Sequence, residues 1–511
     1  MNDWTVGYVA DIGYTYGYYS ELNPLRVKLA FLNAGLHYPE FGTACELGFG
    51  QGISVNIHAA ASVTQWVATD FNPSQTAFAQ EVAAAAGSDA KLFDEAFSDF
   101  TNRTDLPSFD YIGLHGIWSW ISDDNRLMIV DFIKRKLKVN GVLYISYNTQ
   151  PGWAAMVPMR DLLTEHIEVM GRSGIGIVSQ INESLAYADK LISTNPSYIR
   201  ANPQISERIA KIKNQNRNYL AHEYFNKDWL PMSFSKMGEW LSPAKLQFAC
   251  SAHYLDNIDA INLSGDQLSL IQDTPDAMFR QTVRDFMVNQ QFRKDYWVKG
   301  ERKMNTIQQT EDIRVQRVML VVLREDVILK VKGRLGDGNL SEDIYVPILD
   351  ALDDHKVKTI AQLELAIKDH DITFNKLLQA IMILVGNETL ATVQDDEIIA
   401  KAKIHTNKLN VKFMNLARGS GDVSFLASPV TGGGVAVGRF QQLFLLALSQ
   451  GKKKPDEWAM FVWLLLTQQG QMIIKEGKKL ESPEENITEL KERAKVFAQK
   501  HLPLLKSLQI I

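Results

Sequence analysis

One stretch constrains this chain more than any other: Thr43-Ala-Cys-Glu46-Leu-Gly48-Phe-Gly50-Gln-Gly52. Apolar residues run into an acid, glycines then fall on alternate positions, and a helical pattern follows. The pattern predicts a strand ending in a tight loop, where the backbone can close on a ligand because no Cβ stands in the way. A second apolar run, Trp66-Val-Ala-Thr-Asp70, ends in an acid eighteen residues beyond the last glycine. An acid at that distance is placed to hold ribose hydroxyls at the top of a neighbouring parallel strand. The expectation is a nucleoside-bearing cofactor; the bland alternative is an ordinary strand-to-helix turn.

The spacing narrows the cofactor. A dinucleotide fingerprint reads G-x-G-x-x-G and seats a pyrophosphate on a helix N-terminus. Here the spacing is G-x-G-x-G, with Glu46 two residues before the first glycine. A carboxylate repels a pyrophosphate but suits a ligand carrying an ammonium and a sulfonium, as S-adenosylmethionine does. A P-loop is excluded, because no Gly-Lys-Ser/Thr follows the glycines.

At 511 residues the chain exceeds one core, so several domains are expected. A hydrophobic share of 46% with 22% charged residues is that of a globular protein. The net charge of −5 argues against a general nucleic-acid partner. Cys45 and Cys250 both lie in apolar runs, which predicts buried thiols and no disulfide, and neither has zinc-ligand neighbours. The start, Met1-Asn-Asp-Trp-Thr, has no signal-peptide pattern, and no run is long enough for a membrane span. Composition thus predicts a cytoplasmic, multidomain protein without a metal site.

Along the chain, residues 8–22 are rich in tyrosine (Tyr8, Tyr14, Tyr16, Tyr18, Tyr19) and fit neither period, so a lid or packing arm is expected. Asn23-Pro24 then opens a helix to about Gly35. From 43 to 150, strand and helix patterns alternate, which implies a parallel sheet covered on both faces. Further strands are expected at Lys91–Phe93, Phe109–Leu114 and Val142–Ser146, and two more at Lys245–Cys250 and Phe292–Val298. Residues from about 160 to 222 are helical and polar and read as an insertion into a first domain of residues 1–300. In such a sheet ligands sit at the carboxyl ends of the strands. Gly48–Gly52, Asp70, Glu95–Phe97, His115–Trp120 and Tyr147–Trp153 all fall there.

Residues 301–400 combine helical patterns with short strands and suggest a winged-helix-like module, whose mixed charge favours protein contacts over DNA. Residues 401–511 are mostly helical. Ser428-Pro-Val-Thr-Gly432-Gly-Gly434 is a second glycine-rich loop but lacks an acidic partner strand, and reads as a loop entering the helix at Arg439–Leu448.

These residues resemble a known family. Glu46-Leu-Gly-Phe-Gly-Gln-Gly52 with Asp70 is similar to the cofactor motif of class I S-adenosylmethionine-dependent methyltransferases, a Rossmann-like α/β fold. Several blocks resemble bacterial members with a methyltransferase regulatory domain, here expected at about 219–300. They are Tyr16…Asn23-Pro24-x-Arg26, Asp110-Tyr-Ile-x-Leu-His115-Gly-Ile-x-Ser-Trp120, Ser146-Tyr-Asn148-x-x-Pro-Gly-Trp153, Tyr219-Leu-Ala-His-Glu-Tyr224 and Ala427–Gly434. The best-known members are protein-lysine methyltransferases acting on an outer-membrane surface protein. The resemblance implies that Glu46, Gly48, Gly50 and Gly52 hold the methionine part, Asp70 the ribose, and Glu95, Ala96 and Phe97 the adenine. It places His115-Gly116 near the sulfonium, with S-adenosylhomocysteine as product. One departure is Phe49, where many class I enzymes have Cys or Ser; a bulky ring there is expected to narrow the pocket.

A lysine acceptor must arrive neutral, which an aromatic, partly dry channel favours. Tyr14, Tyr16, Trp118, Trp120, Tyr147 and Trp153 are candidates to build it, and Tyr16, His115, Trp118 and Asn148 are the candidate catalytic positions. Two rival readings stand beside this one: transfer to a small molecule or glycan, and a cofactor-binding regulator without catalysis.

Overall fold

The computed structural model describes residues 13–172 and 174–511; Tyr8 lies outside the described residues. The strands form where the apolar runs are bounded by turn residues. They are β1 (Thr43–Leu47), β2 (Gln65–Asp70), β3 (Lys91–Asp94), β4 (Phe109–Leu114), β5 (Leu137–Asn148), β6 (Leu246–Ser251) and β7 (Phe292–Lys299). They make one sheet in the order β3-β2-β1-β4-β5-β7-β6. The first five run parallel. β7 enters antiparallel to both its neighbours, β5 and β6. The order reverses between β1 and β4, and the crevice outside their carboxyl ends is where such a sheet takes ligands.

Local chemistry sets the helices that flank this crevice: α1 (Leu25–Asn33), α2 (Ile53–Ala61) and α3 (Pro73–Ala86). The Asn23 side chain accepts from Leu25 N at 3.0 Å at the start of α1. Asn72 caps α3 by accepting from Ser74 N and Gln75 N, Pro73 supplies the preset φ, and Gly87 at φ 63 ends it. Between β5 and β6 the chain inserts helices Val157–Met170, Ile177–Ser193, Ser197–Ala201, Gln204–Lys213 and Arg217–Tyr224. Leu163, Ile181, Leu185 and Ile209 give this insertion a core of its own. The chain returns through Phe234–Leu241 to β6, and helix Ala277–Met287 precedes β7. On β7, Arg293 is buried between Asp285 (2.6 Å) and Asp295 (2.9 Å).

After β7 comes a small antiparallel sheet of Lys358–Thr359, Arg317–Leu320 and Leu390–Thr392, with helices Glu342–Asp350, Ile360–Ala366 and Phe374–Gly386. The long helix Asp396–Leu416 then lies on α2 and α3. Its apolar side joins Ile53, Ile57, Val82 and Ala86 to a core that continues into helices Arg439–Ser449 and Pro455–Gln468. The second glycine-rich loop is the turn of a hairpin, Phe425–Ser428 with Gly433–Ala436, which leads into Arg439–Ser449 as expected. The hairpin also reaches back across the molecule. Asn23 Nδ2 donates to Gly432 O at 3.1 Å, and the Tyr18 ring lies on Gly434, where a Cβ would stand 3.1 Å from three ring atoms. Gln394 Nε2 ties the turn to α2, donating to both Pro429 O and Ala61 O at 2.7 Å.

Both cysteines are buried and free. Among the described residues no cluster has metal-ligand geometry, and no helix is long and apolar enough to cross a membrane.

Candidate active site

The glycine loop turns as its spacing predicts. Gly48, Gly50 and Gly52 have φ of 76°, 57° and 71°, the left-handed region where a side chain is strained. Space forbids one as well: a Cβ on Gly48 would stand 2.4 Å from Ile117 Cδ1, and one on Gly52 would stand 2.5 Å from Ala79 Cβ. Gly48 N donates to Thr69 O (2.8 Å), and Asn56 Nδ2 pins the loop's end to α3 by donating to Gly52 O (2.9 Å) and Ala79 O (3.1 Å). Phe49 is buried in the hydrophobic core, which accounts for the bulky residue there.

Two acids close the floor of the crevice. Asp70, at the tip of β2, accepts from Gly50 N (2.8 Å) and Asn72 N (2.9 Å). Burial raises its carboxyl to about 7, with Asp94 adding to the rise while the Asn72 and Gly50 N–H groups oppose it. Glu46 is 3% exposed, and its Oε2 has no hydrogen-bond partner. Burial first, and the neighbouring Asp70 second, push the Glu46 carboxyl up to about 8. A buried, unpartnered carboxylate costs several kcal/mol, roughly, unless a cation or donor meets it. At the top of β3, Glu95 pairs through Oε1 with Arg103 at 2.6 Å, while Oε2 is buried without a partner. Ala96 and Phe97 follow at the start of the short helix Phe97–Phe100.

His115 ends β4. Its Nδ1 lies 2.7 Å from Tyr144 Oη, and its ring is stacked under Tyr19 with centroids 3.8 Å apart. Burial drives the imidazole down to about 3, so it is neutral. Gly116 N donates to Ser146 Oγ at 2.8 Å, and the side of Gly116 where a Cβ would point is open.

The tyrosine-rich segment lies across this floor. The Tyr14 ring is 3.5 Å from the Cβ position of Gly50, and its carbonyl accepts from Gln51 Nε2 at 3.2 Å. Its hydroxyl makes a long bond of 3.5 Å to Glu223 Oε1 of helix Arg217–Tyr224. Tyr19 N donates to Ser54 Oγ at 2.9 Å, which anchors the segment to α2.

The structure brings Glu46, the three glycines, Asp70, His115, Gly116 and Tyr14 around one crevice, with Glu95–Phe97 at the top of the neighbouring strand. It does not bring the other candidates there. Tyr16 packs edge-on against Phe78 of α3 at 5.2 Å. Trp118 is fully buried with its Nε1 on Met232 Sδ at 3.3 Å, so it is a core residue. Asn148 is buried and contributes backbone bonds, to Ser119 Oγ and Met232 N. Tyr147 is buried with its hydroxyl on Asp295 Oδ2 at 2.9 Å, and Trp120 is 7% exposed. Trp153 packs against Trp229 and Tyr224 under Arg208. In the sequence, Tyr19 is marked only as part of the tyrosine-rich segment and Glu223 only by its place in the Tyr219–Tyr224 block.

Comparison with known proteins agrees with this fold. A family described as "Predicted methyltransferase regulatory domain" matches residues 216–299. An uncharacterized protein of Synechocystis sp. is 40% identical, covering 99% of both chains. An uncharacterized protein of Rickettsia prowazekii is 26% identical over 61% of this chain and 56% of its own. Among solved structures, PKMT2 from Rickettsia typhi in complex with AdoHcy superposes with a TM-score of 0.67 at 16% identity, covering 95% of this chain and 98% of that one. The chain belongs to one family with the Synechocystis protein, carries a segment matching the methyltransferase regulatory domain, and has the class I S-adenosylmethionine-dependent methyltransferase fold. Its fold, over nearly its whole length, is that of PKMT2.

Proposed function

We propose that this methyltransferase transfers methyl groups to lysine side chains of a protein substrate. The observation that carries the cofactor assignment is Glu46, a buried carboxylate with an unpartnered oxygen beside a glycine loop. The residues fit S-adenosylmethionine: Glu46 meets the ammonium, the loop backbone takes the carboxylate end, and Asp70 receives the ribose hydroxyls. Glu95, Ala96 and Phe97 frame the adenine. When bound, the cofactor supplies a methyl group made electrophilic by its sulfonium. The protein positions the reactants and excludes water. A neutral His115 adds no charge to oppose that cation.

The lysine acceptor is supported by the motifs shared with bacterial protein-lysine methyltransferases and by the whole-length likeness to PKMT2. The helical insertion and the two units after residue 300 offer surface beyond the needs of a small acceptor. In this reading Tyr14 and Tyr19, not Tyr16 or Trp118, are the aromatic walls at the acceptor side. Purified protein incubated with labelled cofactor and a fractionated lysate tests the reading. Label in protein bands is expected. Label confined to small solutes or glycan refutes the lysine acceptor, and no label anywhere favours a regulator without catalysis. Asp70→Ala is expected to abolish calorimetric binding of S-adenosylhomocysteine, and unchanged affinity would refute the site.

A further inference from the structure

We infer that Tyr14, Tyr19 and Glu223 form the seat of the acceptor's alkylammonium group, with Glu223 taking its proton; this rests on the lysine-acceptor reading above. Glu223 stands on helix Arg217–Tyr224, inside the segment matched by the regulatory-domain family. Its nearest described partner is Tyr14, at 3.5 Å, and no cationic side chain pairs with it among the described residues. Tyr14 bridges the distance to the cofactor loop, because its other side rests on Gly50. The Tyr19 phenol feels the charge of both Glu223 and Glu46, which places it within electrostatic reach of the two acids, while its ring covers His115. Lys294 is paired with Glu21, and His115 is neutral, so neither competes with an incoming cation.

Two phenol rings and a partly buried carboxylate are the chemistry that holds an alkylammonium. The carboxylate answers the charge, and the rings accept the methylenes and any N-methyl groups. Burial raises Glu223 to about 7, against the lowering by Tyr14, so it can exchange a proton near neutrality. The titratable groups around it are Tyr14 and Tyr19 from the N-terminal segment and Tyr219, His222 and Tyr224 on its own helix, with Arg208 beside Tyr219 and Tyr224. In the step assigned to it, one N–H bond of the ammonium breaks and its electron pair stays on nitrogen. The proton goes to a Glu223 oxygen, so ammonium and carboxylate become amine and carboxylic acid.

The test uses the full chain with S-adenosylhomocysteine bound and two probes, Nα-acetyl-lysine methylamide and its norleucine counterpart, observed by saturation-transfer NMR. Wild type is expected to saturate the lysine ε-methylene and not the norleucine terminus. Glu223→Gln should keep cofactor affinity within about twofold and weaken the lysine probe about tenfold, the worth of one charge-assisted contact. Glu223→Asp, which keeps the charge, should restore part of the signal. With a labelled protein acceptor, turnover of Glu223→Gln should climb about tenfold per pH unit from 7 to 9, as solvent deprotonates the amine in its place. Equal probe signals in wild type and Glu223→Gln, or equal signals for lysine and norleucine, overturn the seat while leaving the lysine reading intact. Absence of any protein label with wild type removes both. If Glu223→Gln fails to bind cofactor, Tyr14→Leu decides the matter: an unweakened lysine probe overturns the seat.

Discussion

Binding of the cofactor should release a proton, and the amount follows from Glu46. In the free protein burial and Asp70 hold this carboxyl at about 8, so at pH 7 it is about nine-tenths protonated. A ligand ammonium seats on the ionised form, which lowers the group's pKa in the complex. Binding therefore strengthens as pH rises toward 8 and weakens as it falls. Between pH 6 and 7 affinity should rise close to tenfold, about 1.4 kcal/mol. The rise should flatten above pH 8, where Glu46 is already ionised in the free protein. Isothermal titration of S-adenosylhomocysteine at pH 7, in phosphate and in Tris, measures the proton directly. The difference in heat should correspond to about 0.9 proton released. Glu46→Gln should abolish that difference and weaken binding. Buffer-independent heat at pH 7, together with flat affinity from pH 6 to 7, would refute the placement of the ammonium on Glu46.

Gly52→Ala combines a φ of 71° with a Cβ 2.5 Å from that of Ala79, and should cost about 2–4 kcal/mol in urea unfolding; an unmoved midpoint would refute the packing argument. Arg293→Ala leaves Asp285 and Asp295 buried without their cation, so a loss of about 3–5 kcal/mol is expected, smaller at pH 5, where Asp285, raised to about 6, takes up a proton. Gly434→Ala forces the Tyr18 ring to shift, and turnover should fall while affinity for S-adenosylhomocysteine holds; equal turnover would show that the hairpin does not position the N-terminal segment.

β1, β2, β3 and β4 were legible because each is a short, largely apolar run bounded by its own turn chemistry. Asn72-Pro73 and Gly87 fixed α3 in the same local way. Glu46 and Asp70 were legible because their chemistry follows from distance along the chain to three glycines. The antiparallel entry of β7 was not, since a residue pattern marks a strand and not its direction. Trp118 shows a second limit: a tryptophan in a strand-end loop reads alike whether it lines a channel or, as here, fills the core. The contacts of Tyr14 with Glu223 and of Asn23 with Gly432 join residues 209 and 409 positions apart. No local pattern encodes them.

The hairpin at 425–436 bears on how the molecule comes apart. Tyr18 is held between Phe425 and His58, and the faces of α2 and α3 that carry Ile53, Ile57, Val82 and Ala86 are covered by C-terminal helices. A chain cut near residue 300 would bare that apolar surface beside the glycine loop and lose the hold on the tyrosine segment. The last hundred residues are therefore part of one cooperative unit with the cofactor site, and a calorimetric scan should show the two melting together.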